Sequence, residues 1–408
     1  MGNTIFEGVK VLDFTNNAAG PLTASLLADF GADVIKIERP VVGDDVRGFA
    51  PRIEGESVPF LWLNRGKKSV EIAMDDPDGQ EIIKKMIETA DVLVESFRPG
   101  VMKKFGLDYE SVTQINPQIV YCSISAFGQD GPYSKKPGYD LIAQALSGLM
   151  DITGDPAGPP VKHGSIMGDY IGALNGFGYI SAAMYHKKCT GEGQHVDVSL
   201  CDGLITFNNL IEPSRVMKNP TRTGNHSFSL CPYGMFEGKE KPDGERQFII
   251  VCAPTNNLWT KVCKVAGRPE MAEKLDSAQK RISNLDQVID VINGFAKQYD
   301  DIQDAVKILE ENGIPSCKVQ TTLDVIKDPH FLYRGSVMQL ETTPTLKAKG
   351  IPAITARGPW VKLSKTPSNP KGAPALGQNN HDVLEAYGYT KEKIDELEKK
   401  WADKVNAK

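Results

Sequence analysis

The first 130 residues alternate between two hydrophobic periodicities, and this alternation restricts the fold more than any other feature. Residues 8–15 (GVKVLDFT) form an apolar run of strand length, followed by a helical pattern over 21–30 that stops at Gly31. Residues 33–38, 69–74, 91–97 and 119–127 repeat the strand pattern, and a helical pattern over 77–90 carries Ile82, Ile83, Met86 and Ile87 on one face. Strands separated by helices cannot close as hairpins. They form a mostly parallel sheet with helices on both faces, an α/β fold with a large Rossmann-like domain.

Near residue 205 the pattern changes. Residues 233–236 and 247–252 flank the turn Lys241-Pro242-Asp243-Gly244-Glu245 and predict a β-hairpin. Helical patterns follow over 257–266, 286–298 and 301–312, so this stretch predicts a small α+β domain. The expected division is 1–205 for the N-terminal part of the large domain, 206–227 for a linker, 228–322 for the small domain, and 323–408 for a second linker and the C-terminal part of the large domain. A strand is predicted over 336–341 and an amphipathic helix over 391–405. Between them, residues 365–377 are proline-rich and suited to wrapping a surface.

Charge and cysteine usage exclude several classes. A net charge of -5 gives no reason to expect nucleic acid or an anionic membrane as partner. No apolar run reaches the roughly 18 residues of a membrane span. The start, Met1-Gly2-Asn3-Thr4-Ile5-Phe6, has no basic and apolar leader pattern, and Phe6 stands where a myristoylation signal needs Ser or Thr. A cytoplasmic location is expected. The seven cysteines contain no C-x-x-C pair and the six histidines no H-x-x-x-H spacing, so reduced thiols and no metal site are expected.

The turn after the first strand, Thr15-Asn16-Asn17-Ala18-Ala19-Gly20-Pro21, is neither G-x-G-x-x-G nor a P-loop, which disfavours dinucleotide and nucleoside triphosphate chemistry. The exposed N–H groups of a helix start could still hold an anion or a carbonyl. In mid-chain, Ile166-Met167-Gly168-Asp169-Tyr170-Ile171 sets a carboxylate directly behind a glycine. Alone, Asp169 has two readings: a cap for a helix over 170–186, the commoner role, or a nucleophile.

Several segments taken together bear on that choice. Residues 8–21 with 27–38 (LADFGADVIKIE), Asn64-Arg65-Gly66-Lys67-Lys68-Ser69, Glu95-Ser96-Phe97-Arg98-Pro99-Gly100, residues 125–132 (SAFGQDGP), residues 190–194 (TGEGQ) and Leu376-Gly377-Gln378 stand in the order and spacing of one family. The chain resembles the family III coenzyme A transferases (the CaiB/BaiF family), which include formyl-CoA and carnitine-CoA transferases. The resemblance implies that Asp169 is the nucleophile, forming an aspartyl mixed anhydride and then an aspartyl-CoA thioester. It implies that Arg39 and Lys104 bind the nucleotide, and that Ala18, Ala19 and Phe97 line the pantetheine arm and adenine. Asn17, Ser96 (where many relatives have Asn) and Tyr139 complete the implied CoA contacts. Lys135 and Lys136 precede Pro137, close to where relatives often carry a lysine. The CoA thioester is then a substrate, with no permanently bound cofactor, and the partners are an acyl-CoA, a carboxylic acid and a second copy of the chain in an interlocked homodimer. The alternative is an α-methylacyl-CoA racemase, which resembles the same fold. Racemases pair the aspartate with a histidine where this chain has Tyr139, and a phenol is a poor general base at neutral pH.

Overall fold

The structure, a computed structural model, describes residues 4–216 and 222–407. Part of the expected linker and the first three residues lie outside the described residues. The chain divides into two compact units, one of Met1–Leu149, Lys162–Ile211 and Asp328–Lys408, the other of Met150–Val161 and Glu212–Lys327.

The first unit is built on six strands: β1 (Lys10–Phe14), β2 (Asp33–Glu38), β3 (Lys68–Glu71), β4 (Val92–Glu95), β5 (Val120–Ser125) and β6 (His195–Ser199). Their order is β3-β2-β1-β4-β5-β6 and every neighbouring pair is parallel. The connections run in opposite directions on either side of the β1–β4 pair, so the loops leaving the carboxyl ends of β1 and β4 diverge and open a crevice there.

The two-residue period of the strands divides the core. Leu12, Phe14, Ile35 and Ile37 pack with Ile82, Ile83, Met86 and Ile87 of helix α2 (Pro77–Glu88) on one side of the sheet. On the other, Val11, Val34, Val92 and Val94 pack with Ala24 and Leu27 of α1 (Ala19–Asp29) and with the long helix α5 (Met167–Thr190). Each fully buried aliphatic side chain here contributes about 1.5–3 kcal/mol. Two short helices, α3 (Val101–Lys104) and α4 (Asp140–Leu146), follow β4 and β5.

Two boundaries differ from expectation. Strand β6 was not expected: its sequence, HVDVS, breaks the apolar pattern with His195 and Asp197, as an edge strand paired only to β5 can. Helix α5 starts at Met167 rather than at residue 170, which alters the role of Asp169.

In the second unit, β7 (Tyr233–Glu237) and β8 (Phe248–Cys252) form an antiparallel hairpin, and β9 (Ser316–Lys318) adds to β8. Helices α6 (Asn256–Val265), α7 (Leu285–Ala296) and α8 (Ile302–Glu311) cover it around the buried Trp259.

The chain end returns to the first unit. The 365–377 segment is extended, with the Asn369 N–H donating to the Asp29 carbonyl (2.7 Å) and the Gly66 N–H to the Gly372 carbonyl (3.0 Å). Helix α9 (Lys391–Asn406), capped by Thr390, buries Ile394, Leu397 and Trp401 against the α2 side of the sheet. Among the described residues, no helix is long and apolar enough to cross a membrane.

Candidate active site

The crevice is built from the loops after β1, β2, β4 and β5. Ser96, following β4, joins two of them: its Oγ accepts the Asn16 N–H (3.0 Å) and donates to the Asn16 carbonyl (3.2 Å). The short hydroxyl therefore closes onto main chain, which is what the Ser-for-Asn difference does here. Asn17 sits in the left-handed region (φ 69°), which asparagine tolerates, and its N–H reaches Asp44 Oδ1 at 3.2 Å. At Gly20 a Cβ would come within 2.5 Å of the Thr15 side chain, so only glycine lets α1 start this close to the loop.

Fully buried charges support this loop from below. Lys36 Nζ donates to the Thr15 carbonyl (2.7 Å) and pairs with Asp44 (2.9 Å), while Lys67 Nζ pairs with Asp13 (2.6 Å) and donates to Asn64 (2.8 Å). Burial pushes the Lys67 ammonium down to about 8 against the pull of Asp13. Glu38, which burial alone would raise, is drawn down to about 2 by Arg47, Lys36 and Ser69. The Asn64, Lys67 and Ser69 set of the sequence motif thus acts beneath the loop, a role that spacing alone does not disclose.

Two cavities meet above it. One of about 330 Å³ is lined by Asn16, Asn17, Arg39, Ser96, Phe97, Arg98, Ser125, Phe127, Lys136 and Tyr139, among others. A second, of about 560 Å³, shares Asn16, Arg39 and Phe97 and continues between Ile37, Ile72, Val101, Phe105 and, from α9, Trp401 and Lys404. Five expected CoA contacts, Asn17, Arg39, Ser96, Phe97 and Tyr139, therefore share one cavity wall. Three do not. Ala18 packs beside the apolar cluster of Leu22 and Trp62, Ala19 is buried in the core, and Lys104 stands exposed on α3, whose neighbours Val101 and Phe105 face the cavity instead. Arg39 donates to the Gly43 carbonyl (3.1 Å) and pairs with Asp45. Arg98, inside the ESFRPG segment, and Lys136, lying 3.6 Å over the Tyr133 ring, add cations to the wall. Ser125 Oγ is buried there with no hydrogen-bond partner among the described residues.

Asp169 is the third residue of α5, so the expectation that it caps this helix is corrected. The cap position, Ile166, offers no side-chain bond. Asp140, the first residue of α4, acts in its place: one oxygen accepts the Gly168 N–H (2.7 Å), the other the Gln144 Nε2 (2.8 Å). Gln144 in turn accepts the His163 N–H (2.9 Å), fixing the loop that leads into α5. A Cβ at Gly168 would crowd Asp140 Oδ1 and Leu204, each at 3.1 Å, which accounts for glycine before the aspartate. Among the described residues no hydrogen bond or ion pair reaches the Asp169 carboxylate. Burial, reinforced by the negative charge of Asp140, pushes it up to about 7. Tyr139, adjacent to Asp140, is 69% exposed and lies on the wall of the smaller cavity.

Asp169 itself is on the lining of neither cavity; it is tied to the smaller one through Asp140, next to the wall residue Tyr139. Cations on the wall and an apolar extension suit a long, anionic carrier. The CoA-transferase family III model matches residues 6–380, and the chain belongs to that family. It is 36% identical over 399 residues to human succinyl-CoA:glutarate CoA-transferase, covering 96% of this chain and 88% of that one. It is 34% identical to the acetyl-CoA:oxalate CoA-transferase of Acetobacter aceti (90% and 88% covered) and 34% to the succinyl-CoA:mesaconate CoA-transferase of Haloarcula hispanica (94% and 96%). Among solved structures, a CaiB/BaiF family protein from Brucella suis superposes with a TM-score of 0.83 at 30% identity, covering 94% of this chain and all of that one. Enzymes of this family use CoA thioesters as substrates.

Proposed function

We propose that the enzyme moves coenzyme A from an acyl-CoA to a free carboxylic acid through covalent intermediates on Asp169. The observation that carries this is the carboxylate itself: Asp140 takes over the cap of α5, and Asp169 is left desolvated with no partner among the described residues. An Asp169 oxygen attacks the thioester carbonyl, the C–S bond breaks, and a mixed anhydride and CoA thiolate result. The thiolate then attacks the aspartyl carbonyl and expels the donor acid as its carboxylate. The acceptor carboxylate opens the aspartyl-CoA thioester, forming a second anhydride and releasing the thiolate again. Attack of the thiolate on the acceptor carbonyl gives the new acyl-CoA and regenerates Asp169. Protons need not move, and the thioester's reactivity is conserved at each step provided water is excluded.

Several relatives are named for succinyl-CoA with a dicarboxylate, namely glutarate, mesaconate, L-malate or D-citramalate. Succinyl-CoA as donor and a dicarboxylate as acceptor are therefore the first pair to assay. A racemase would need a second acid/base group opposite Asp169, and Tyr139 is a poor one. The working form is taken to be an interlocked homodimer. An apolar groove of about 690 Å³ between Phe6, Phe30, Phe177, Met184 and Trp360 supports a partner surface, as do the exposed Tyr179 and Tyr185 of α5.

The test is direct. Enzyme incubated with succinyl-CoA and treated with hydroxylamine should carry the label on the peptide containing Asp169. Asp169→Ala should lose at least about 10³-fold in kcat. A label on another residue, or an active alanine variant, removes Asp169 as nucleophile.

A further inference from the structure

Coenzyme A carries negative charge in two places, a diphosphate in the middle of the molecule and a separate 3′-phosphate on the adenosine ribose. The smaller cavity has Arg39, Arg98 and Lys136 on its wall. Of the larger cavity's two cationic side chains, Arg39 stands at the junction and is shared, and the other is Lys404. Lys104, the cation that the family resemblance assigns to the nucleotide, does not line either cavity. Lys404 leaves the last turn of α9 three residues after Trp401, so the two side chains share a helix face. Trp401, 1% exposed, anchors that turn in the core. The ammonium of Lys404 is 3.1 Å from Asp75 Oδ2, and the two side chains are 40% and 56% exposed. An ion pair that open to solvent is weak and readily exchanged for a phosphate dianion, the stronger partner.

We infer that Lys404 binds the 3′-phosphate of coenzyme A, so that the C-terminal helix sets the preference for CoA over its dephosphorylated form. This rests on the proposed function, in that the groove holds CoA, and adds to it the residue that reads one phosphate. Asp75 holds the lysine at the cavity rim until the phosphate displaces it. Because α9 is anchored through Trp401, the lysine reaches the cavity rim from a fixed backbone position.

Calorimetric titration of the full-length enzyme with CoA and with 3′-dephospho-CoA tests the assignment. The wild type should bind CoA more tightly than the dephospho form. Lys404→Gln should weaken CoA about tenfold while leaving dephospho-CoA within about twofold, and Lys404→Arg should retain the discrimination. Equal weakening of both ligands would mean that the lysine acts only on the fold, and unchanged binding of CoA would mean that it is not a contact. Either result overturns the inference while leaving CoA binding intact. Failure of the wild type to bind either ligand would instead remove the reading of the groove on which the inference rests.

Discussion

A carboxyl group that titrates near 7 is largely protonated under conditions where most carboxylates are fully ionised, and only the ion can attack a thioester. Asp169 is in that position because burial, and then the charge of Asp140, disfavour its ionised form. The sign follows: below this pH the group is a protonated acid and inert, above it the carboxylate is present. For the acyl-CoA donor, kcat/KM should therefore rise with pH through about 7 and then level off, the limb belonging to the free enzyme. A pH–rate profile flat across that range would show that some other group carries the first step. The sequence places Gly168 and Asp169 together and the family resemblance makes Asp169 the nucleophile, but neither reveals the state of the carboxylate. That state depends on burial and on Asp140, 28 residues before Gly168, taking the bond a cap would otherwise need.

At the scale of elements, the start of α5 joins two helices in one small device. Asp140 begins α4, caps α5 through Gly168 and lends Asp169 its charge. These functions can be separated by substitution. Asp140→Asn keeps an oxygen for the Gly168 N–H and removes the charge, so the rising limb of the pH–rate profile should move to lower pH by roughly one unit. Asp140→Ala loses the bond as well and should also lower stability by about 1 kcal/mol. A limb that stays in place in Asp140→Asn would mean that burial alone sets the Asp169 value. Strands β1, β2, β4 and β5 were legible because their apolar runs are buried on both faces of a parallel sheet, and β3, at the other edge, through Val70 and the apolar residues that follow it. Strand β6 was not, since Asp197 serves the Gln129 N–H (2.8 Å) and His195 meets Ser123 (2.9 Å), both polar tasks at an edge. Residues 150–161, set apart by Pro156, Pro159 and Pro160, group with the second unit, a membership that a proline-rich run does not by itself disclose.

At the scale of the whole molecule, the proposed interlocked homodimer could not part without unfolding, so sedimentation at nanomolar concentration should still show a dimer and no reversible monomer. A concentration-dependent monomer population would rule out interlocking while leaving the Asp169 chemistry untouched. The two cations proposed for the phosphates show where reading a sequence stops. Arg39 was named through the family resemblance, whereas Lys404 lies on an ordinary amphipathic helix whose apolar face predicts only that it packs somewhere. That packing has a consequence for the order in which the protein comes into being. Trp401 fills the core on the same side of the sheet as Leu12 and Phe14, which are made well before it. The larger cavity has no wall at α9 until that helix has been made, and it closes only when the helix finds strands made long before it. A nascent chain that has not yet made α9 thus leaves open the side of the core that Ile394, Leu397 and Trp401 complete.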